Sequence, residues 1–448
     1  MILFRRFNIF LMLFAFAVLQ VKAQTTILPK PNSIQFKDGT FSYQKGFDIK
    51  IIRGDDATKK IQKQLTDFVK SKNIPVVQFA ATAITINLLN VKDTDLSPES
   101  YTLSIAPNTI SIASSGNAGL YYGIQSIMQL LRADTTKKLT CLEIKDIPQF
   151  AYRGFHLDAL HHYFDVETIK QYIDAAAKLK LNQFQWQFAD EKMCRIMVKN
   201  HKTTSSAEQI YTTTQVQEIV KYAQERYVNI VPVFSFSADS ADANLTSKKL
   251  FIDELCSLFP GTFVAVDFTS LSDSVSAYLT LKNKKIITSE QSSNNSIIKQ
   301  FYKSTKAAYS RAATGNDVIL SPMKYTSFDF YQDWDDEKKD FHMSLLTLEK
   351  AYSFAPLGKI KDSKTIEHII GVQSMLYTPY ISTREELQYM AFPRILAFAE
   401  CAWTKKEFKN FADFEKRLKS LKNYFFIEKE LPPIDLVRIN PNKSKNKK

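Results

Sequence analysis

The sequence predicts an α/β protein in which a small α+β domain precedes a (β/α)8 barrel. Before residue 147, segments with apolar residues at every second position, typical of half-buried strands, lie beside two amphipathic helices. After Ile147-Pro148, a strand followed by a helix recurs along the chain. Repeated units of this kind form a parallel sheet that closes as a barrel. At 448 residues the chain also exceeds one ordinary core, which favours two domains.

Residues 1–23 have the organisation of a secretory signal peptide. Arg5 and Arg6 precede an apolar run over Ile9–Leu19, and Val21-Lys22-Ala23 resembles a cleavage site. The run is too short to indicate a membrane span, although an uncleaved N-terminal anchor is the alternative. We therefore expect a secreted or periplasmic protein that is not an integral membrane protein after cleavage.

The chain that follows the signal peptide is basic. Of the formal net charge of +13, Arg5, Arg6 and Lys22 contribute three, which leaves +10. The basic tail over residues 431–448 ends in Asn-Lys-Ser-Lys-Asn-Lys-Lys, which carries four of these charges. A basic surface attracts acidic partners, but no nucleic-acid-binding motif accompanies it. We expect no nucleic-acid partner, and solubility is sufficient to explain the charge.

The cysteines do not suggest a disulfide framework or a metal site. Cys141, Cys194, Cys256 and Cys401 are widely spaced, without a Cys-x-x-Cys pair or a partnering histidine. The sequence therefore predicts buried free thiols, no bound metal and no cofactor.

Residues 24–147 are expected to form the α+β domain. Period-2 apolar spacing predicts strands at 40–43, 47–52, 83–88, 101–105 and 109–113. Two helices are predicted beside these strands, over 59–70 and 119–131, because each has its apolar residues on one stripe.

Residues 148–430 are expected to form the barrel. Its eight predicted strands are 153–158, 184–188, 229–236, 262–268, 285–289, 297–301, 317–321 and 369–376. An amphipathic helix over 166–180 follows the first strand, with Asp165 as a plausible N-cap and Glu167 favourable in its first turn. Active sites of such barrels lie at the C-terminal ends of the strands. The residues that end each strand are therefore the candidates for function.

Several phrases resemble glycoside hydrolase family 20, the β-N-acetylhexosaminidases. Residues 153–158, Arg-Gly-Phe-His-Leu-Asp, and residues 182–196 resemble the first two barrel strands of the family. Leu28-Pro-Lys-Pro31 is similar to the opening of its small N-terminal domain, whose role is chiefly structural. Residues 384–403 resemble the signature Tyr-Met-x-x-Pro-Arg-x-x-Ala-x-x-Glu-x-x-Trp of its last helix, and are expected to form one helix. The resemblance covers nearly all of the chain after the signal peptide.

The resemblance implies a reaction in which the acetamido oxygen of the substrate acts as the nucleophile. A Glu protonates the leaving oxygen, a neighbouring Asp supports the acetamido nitrogen, and a Tyr binds the acetamido oxygen. Where the family has His-x-Gly-Gly-Asp-Glu, residues 263–270 read Phe-Val-Ala-Val-Asp-Phe-Thr-Ser. The Glu then falls at Ser270 and the Asp at Thr269, or at Thr269 and Phe268 in a register one residue earlier. The Tyr falls at Ser327, so the resemblance implies that the catalytic pair and its clamp are lost.

Other family positions in the expected site differ as well. Residues 232–239, Pro-Val-Phe-Ser-Phe-Ser-Ala-Asp, stand where the family has Pro-Glu-Ile-Asp-Met-Pro-Gly-His. The remaining changes are Gln185 and Gln187 for two histidines, Cys194, Ser289 and Tyr377 for tryptophans, and Pro379 for a glutamate. Ser, Thr, Val and Pro thus replace the expected acids and aromatic walls.

The resemblance marks six candidate ligand contacts, each of which also has a structural interpretation. They are Arg153, Asp158, Trp186, Asp190, Asp329 and Tyr377. Arg153 with Asp158 or Asp190 could instead form an ion-paired network that closes the barrel mouth. Trp186 could belong to the core, and Asp329, like His162, could be a hydrogen-bonding group of the scaffold.

Asp267 and Glu191 are weak candidates for a relocated acid, since they end strands four and two. A replacement must reach the same proton and have a raised pKa, and spacing alone supports neither residue. Three functions stay open. The favoured one is a non-hydrolytic or weakly active family 20 homologue in glycan metabolism, which binds a glycan or another small ligand at the barrel mouth.

The second is an active β-N-acetylhexosaminidase with a relocated acid. The third is a structural or protein-binding envelope protein, in which Phe234, Phe236, Phe268 and Tyr377 form a flat apolar surface. An open apolar patch would favour this third function, whereas a concave polar pocket would favour glycan binding.

Overall fold

The computed structural model describes most of the chain. The described residues are 25–89, 97–190, 193–198, 209–236, 245–267, 271–292, 294–333 and 342–425. The predicted signal peptide (1–23) and basic tail (431–448) lie outside them and stay predictions. Glu191, Phe268, Thr269 and Ser270 also lie outside the described residues.

The first domain is a mixed six-stranded sheet with two helices that pack against it and against each other. Its elements are β1 (Ile34–Ser42), β2 (Asp48–Arg53), α1 (Asp56–Ser71), β3 (Ala83–Leu88), β4 (Tyr101–Ile105), β5 (Thr109–Ser114), α2 (Asn117–Ala133) and β6 (Lys138–Asp146). The strand order is β1-β6-β4-β5-β3-β2, with β3 parallel to both of its neighbours. In β3 Ile84 and Ile86 are buried, as the alternating pattern predicts. The predicted α+β domain is confirmed.

Strand β6 is absent from the sequence prediction. It pairs antiparallel with β1 and β4 and is central to the sheet. Cys141 and Leu142 are consecutive and both buried, so the alternation that identifies a strand is interrupted. The β1–β6 register also shifts between Phe36 and Thr40. Such an irregularity hides a strand from a period-2 search.

The second domain is a closed parallel barrel. Its elements are β7 (Tyr152–Asp158), α3 (Val166–Lys178), β8 (Gln183–Gln187), α4 (Thr213–Gln224), β9 (Asn229–Phe234), α5 (Leu245–Leu258), β10 (Phe263–Val266), α6 (Asp273–Leu281), β11 (Lys285–Ser289), β12 (Ile298–Phe301), α7 (Thr305–Ala312), β13 (Val318–Leu320), α8 (Met323–Thr326), β14 (Phe330–Tyr331), β15 (His342–Leu345), α9 (Leu348–Tyr352), α10 (Ser363–Glu367), β16 (Ile369–Ser374), α11 (Arg384–Ala391), α12 (Arg394–Trp403) and α13 (Phe411–Phe425). The barrel closes in the order β7-β8-β9-β10-β11-β12-β13-β16, with parallel neighbours throughout. The predicted (β/α)8 barrel is confirmed.

Apolar side chains fill the inside of the barrel below its mouth. Six strands contribute one side chain each: Tyr152, Val231, Ala265, Ile287, Ile298 and Ile319. Filled layers of this kind make such a barrel a packed core and not a pore. The layer forms a floor beneath the C-terminal ends of the strands.

Buried charged residues join the two domains at the opposite end of the barrel from the mouth. We call Glu99, Asp146, Arg153, Lys180 and Trp403 the domain junction. Both terminal nitrogens of Arg153 lie 2.9 Å from carboxylate oxygens of Glu99. Lys180 Nζ lies 3.2 Å from Asp146 Oδ2. The Trp403 ring lies 5.0 Å from the Arg153 guanidinium and 4.6 Å from Lys180 Nζ, and its Nε1 donates to Asp146.

The domain junction corrects the prediction for Arg153. This residue is fully buried near the start of β7, and it donates to Glu99 and to the main chain of Phe150 and Lys180. It therefore neither contacts a ligand at the mouth nor pairs with Asp158 or Asp190. The resemblance to the family identified a buried arginine, but it did not show that this arginine lies at the end of the barrel opposite the mouth.

The predicted closing helix over 384–403 is two helices. α11 ends at Ala391 and α12 begins at Arg394, with Pro393 between them. Proline lacks a main-chain N–H and disfavours helical geometry in the residue before it, so the helix ends there. Arg394 is buried, and its guanidinium donates to the carbonyls of Phe328 and Phe330.

No helix within the described ranges is long and apolar enough to cross a membrane.

Candidate functional site

A pocket of about 190 Å³ opens at the barrel mouth, above the apolar floor. Seven of the eight barrel strands, or the residues that directly follow them, contribute to it. Its lining residues are His156, Gln185, Gln187, Ala189, Val233, Phe234, Ser235, Ala265, Val266, Asp267, Ile287, Thr288, Ser289, Gln300, Tyr302, Met375 and Tyr377. The surface is concave and lined by both polar and apolar side chains, as is typical of a small-molecule site and not of a flat protein-binding patch.

His156 is a buried neutral side chain in this pocket. Leu376 N donates to its Nδ1 at 3.3 Å, and its Nε2 lies 3.2 Å from Gln187 Oε1. Burial lowers the pKa of His156 to about 4, despite the opposing charge of Asp158. The ring therefore accepts at Nδ1 and donates from Nε2 at neutral pH. It contributes hydrogen bonds to the site, but no positive charge.

Amide side chains form a network under the pocket. Gln185 Nε2 donates to Tyr152 OH at 3.0 Å and to Gln300 Oε1 at 2.9 Å. Tyr152 OH donates in turn to Gln373 Oε1 at 3.0 Å. Gln185, Gln187 and their neighbour Trp186 lie on one strand, so the two amides face inward and the indole faces outward. The network fixes the amides before any ligand binds.

Two tyrosines form walls of the pocket. Tyr377 packs against His156 with ring centroids 5.1 Å apart, and Tyr302 N donates to Glu290 Oε2. Burial raises the pKa of Tyr302, and the charges of Asp267 and Glu290 add to this effect. Both phenols therefore stay protonated and able to donate, since burial likewise raises the pKa of Tyr377 well above its ordinary value.

Two hydroxyls at the end of β11 have no hydrogen-bond partner among the described residues, and that of Ser289 points into the barrel, as Ile287 does two residues earlier. Thr288 Oγ1 and Ser289 Oγ are buried and accept or donate no hydrogen bond among the described residues. A buried polar group without a partner is costly unless something binds it. The Ser289 hydroxyl is accordingly the group that a polar ligand would satisfy, whereas Thr288 points to the outer side of the barrel.

The structure places Trp186 and Ser327 away from the pocket lining. Trp186 is fully buried on the outer side of the barrel, where it packs against Phe188, Tyr211 and Phe259. The prediction that Trp186 contacts a ligand is therefore corrected, and its alternative as a core residue fits. Ser327, the position of the family's clamp, is buried but is also absent from the lining.

Two aspartates, Asp158 and Asp190, accept hydrogen bonds from the scaffold around the mouth, and a third, Asp329, is buried beside them. Asp158 is fully buried and accepts from Leu160 N and Thr378 N, and it lies 2.5 Å from His161 Nδ1. Asp190 accepts from Met193 N at 2.7 Å. Asp329 is buried nearby, where its charge reaches Tyr377. None of the three lines the pocket, so the structure does not support their predicted contact with a ligand.

Asp267 and Tyr377 are the two predicted site residues that do line the pocket. The sequence prediction missed His156, Gln300, Tyr302 and Thr288 as lining residues. Strand alternation combined with the strand ends would have found His156, because it points inward near the end of β7, as Tyr152 does at the start of that strand. No sequence signal marks Tyr302, which follows β12.

Asp267 is the one carboxylate in the described lining, so the described residues do not assemble an Asp-Glu pair. The positions that the family phrase gives to the acid, Thr269 and Ser270, follow directly but lie outside the described residues, as does Glu191. Among the described residues, no group of three His, Cys, Asp or Glu side chains could hold a metal ion.

Comparisons with known proteins agree with this architecture. Residues 24–147 match the profile of glycosyl hydrolase family 20, domain 2, and residues 150–264 and 270–406 match that of its catalytic domain. The chain belongs to glycosyl hydrolase family 20. The catalytic-domain match is interrupted over residues 265–269, which include Asp267 and Thr269.

Relatives and solved structures extend this result. The chain is 26% identical to a beta-hexosaminidase of Porphyromonas gingivalis over 411 residues, 72% of this chain and 53% of that protein. It is 23% identical to the beta-hexosaminidase of Vibrio furnissii, over 84% of this chain and 76% of that protein. The family 20 β-N-acetylhexosaminidase of Streptomyces coelicolor A3(2) superposes with a TM-score of 0.78 at 20% identity, over 91% of this chain and 98% of that one. The family 20 chain therefore spans about half the length of its Porphyromonas relative.

Proposed function

We propose that this family 20 protein binds a glycan end at the barrel mouth and does not hydrolyse it by the family's mechanism. The pocket itself carries the proposal: it is concave and, among the described residues, it holds a hydroxyl without a partner, that of Ser289, and a single carboxylate, that of Asp267.

The chemistry of the lining supports binding more than hydrolysis. Glycosidic cleavage needs a group that protonates the leaving oxygen, and general acid catalysis of this kind contributes about 10²–10⁴-fold. His156 is neutral and held by two hydrogen bonds, and the glutamines do not titrate. Solved family 20 structures include an enzyme of Vibrio harveyi with bound N-acetylglucosamine, which makes a sugar the natural ligand class to propose here.

An assay against a chromogenic N-acetyl-β-glucosaminide tests the non-hydrolytic part. We expect the purified protein to release chromophore no faster than buffer, beside an active hexosaminidase of the family as positive control. The Asp267→Asn and Glu191→Gln variants are assayed in parallel, because turnover by a contaminating enzyme would be the same in the variants as in the wild-type protein. Turnover that either substitution abolishes would contradict the proposal and identify a relocated acid.

We also propose that the chain is exported, on the basis of the signal-peptide pattern in residues 1–23. Expression of the full chain in a bacterial host, followed by N-terminal sequencing of the secreted or periplasmic protein, tests this. The expected new N-terminus is Gln24. Retention of an intact Met1 in the membrane fraction would instead indicate an uncleaved anchor.

A further inference from the structure

A turn in the first domain displays an aromatic ring to solvent. It lies over residues 77–80, between α1 and β3, where Ala80 N donates to the carbonyl of Val77 at 3.3 Å. The side chain of Phe79 is 89% exposed, and that of Val77 is exposed as well. Single exposed apolar residues are ordinary on protein surfaces, so this exposure alone does not indicate a function.

The backbone of Phe79 distinguishes it from the other exposed apolar residues. Its φ is +59°, in the left-handed region that glycine and asparagine adopt readily and that bulky residues avoid. A turn with a positive φ at its third residue favours glycine or asparagine at that position. Of the large apolar residues that are exposed in the described part of the chain, Phe79 alone has a positive φ. A bulky residue kept in a strained conformation indicates a role for its side chain.

Hydrogen bonds hold the turn against the start of β2. Phe79 N donates to Asp48 Oδ2 at 2.9 Å. Beyond the turn, Thr82 Oγ1 donates to the carbonyl of Gly46 at 3.0 Å. The exposed position of the ring is therefore fixed by the domain beneath it.

Lysines accompany the turn. Lys45 and Lys50 are exposed on the segment against which the turn packs. The Asp48 carboxylate between them is buried beneath the turn, where it accepts from Phe79 N and lies 3.5 Å from Lys50 Nζ. Residues 76–82 themselves carry no charged side chain. The surface thus combines apolar side chains with cations, on a chain whose formal net charge is +13.

We propose that this turn binds an anionic lipid surface, with the Phe79 ring inserted among the headgroups and Lys45 and Lys50 beside the lipid phosphates. Buried apolar area and attraction to anionic lipids are the two contributions that hold a protein on such a surface. A second copy of the chain fits less well, because a two-fold contact places a patch against itself and would bring these lysines together. The turn belongs to the first domain, so this inference does not depend on glycan binding at the barrel mouth.

Sedimentation with lipid vesicles tests the inference. Binding to vesicles of phosphatidylcholine alone is compared with binding to vesicles that contain phosphatidylcholine and phosphatidylglycerol in equal parts. We expect the wild-type protein to bind the anionic vesicles roughly 10-fold more tightly, since each lysine near an anionic surface adds to the attraction. Added salt should weaken this binding.

Phe79→Asn is the diagnostic variant, because asparagine accepts the left-handed backbone and removes the ring. We expect it to weaken binding to the anionic vesicles by roughly 10-fold or more. Its unfolding temperature should not fall, since the substitution relieves strain and the ring is mostly exposed. Leu281→Asn is the matched control, because Leu281 is 74% exposed at the end of α6 in the barrel domain. This control should bind as the wild-type protein does.

Phe79→Trp reports insertion directly. The larger ring should keep the binding, because tryptophan favours the interface between water and lipid. Its fluorescence should move to shorter wavelength on anionic vesicles by more than that of the wild-type protein. All of these proteins share one N-terminus and one basic tail, so neither segment can account for a difference between them.

Several results would overturn the inference. These are wild-type binding in Phe79→Asn, no additional fluorescence shift in Phe79→Trp, equal binding of the wild-type protein to both kinds of vesicle, and binding to neither. Concentration-dependent self-association that Phe79→Asn abolishes would also overturn it, and would assign the turn to a contact between copies of the chain.

Discussion

At the domain junction, Arg153 and Lys180 each meet a carboxylate, whereas at the barrel mouth the hydroxyl of Ser289 meets no partner within the described part of the chain. Both ends are buried and polar. The difference lies in what completes the hydrogen bonds: the protein itself at the junction and, in the function we propose, an external molecule at the mouth. That proposal assigns one end of the barrel to stability and the other to binding.

The largest expected effect is at the junction, with Glu99→Gln. The substitution leaves the Arg153 guanidinium fully buried without its counter-charge, and arginine does not deprotonate in proteins. Removal of one partner of a buried ion pair costs about 3–5 kcal/mol. The free energy of unfolding in urea measures this. Glu218→Gln is the control, because Glu218 is half-exposed beside Lys170 and such a surface pair contributes at most about 1 kcal/mol. Equal losses of unfolding free energy in the two variants would contradict the expected difference between the buried pair and the surface pair.

The next effect is a pH dependence that arises at the mouth. Burial lowers the pKa of His156 to about 4, against its ordinary value of 6.5. Between these pH values the unfolded chain binds a proton at His156 and the folded chain does not, so stability falls as the pH falls. The full shift corresponds to about 3 kcal/mol. Urea unfolding of the wild-type protein between pH 7 and pH 4, compared with His156→Gln, isolates this slope, which the variant should lose.

His161 tests the sign of the pH dependence of stability, because its pKa shifts in the opposite direction to that of His156. Its hydrogen bond to Asp158 raises its pKa, so its stabilising contribution is fully present below pH 6.5 and is lost as the pH rises through its folded-state pKa. His161→Gln should therefore change the pH dependence above pH 6.5 and leave the slope below it intact. A lower slope in both variants over the same window would contradict the assignment.

A smaller effect of opposite sign is expected for Ser289→Ala. The substitution removes a hydroxyl without a described partner, which should stabilise the free protein by about 1 kcal/mol. The same change should weaken ligand binding several-fold, since that hydroxyl points into the pocket. Chemical unfolding and titration with the sugar that binds the wild-type protein measure the two quantities. Ser111→Ala, on a strand of the other domain, should leave the affinity unchanged.

The sequence located the architecture better than the site. Repeated strand and helix units predict the barrel because its pattern is periodic, whereas β6 escapes because two consecutive buried residues interrupt its alternation. Pro393 alone predicts a break between α11 and α12, but the family signature favoured one continuous helix over residues 384–403.

The misplacement of Arg153 has a different cause. Its partner Glu99 lies 54 residues earlier, in the other domain, and such pairing is not visible in a linear pattern. Gln185 and Gln187 were noted as replacements, and the structure places them inside the pocket while Trp186 points away. Tyr302 became visible only once the strands were closed into a barrel. The lining residues come from separate strands, so only the folded barrel shows which of them lie together.

One measurement tests the division between the two ends most directly: the rise in unfolding temperature that a bound sugar produces. Ligand at about 100 times its dissociation constant stabilises the folded state by roughly 2.7 kcal/mol. We predict that Lys180→Met lowers the unfolding temperature but keeps this ligand-induced rise. Ser289→Leu, which fills the pocket, should keep the unfolding temperature near that of the wild-type protein and lose the rise, whereas the exposed control Ser420→Leu keeps both. A ligand-induced rise that persists in Ser289→Leu, or disappears in Lys180→Met, would contradict the account.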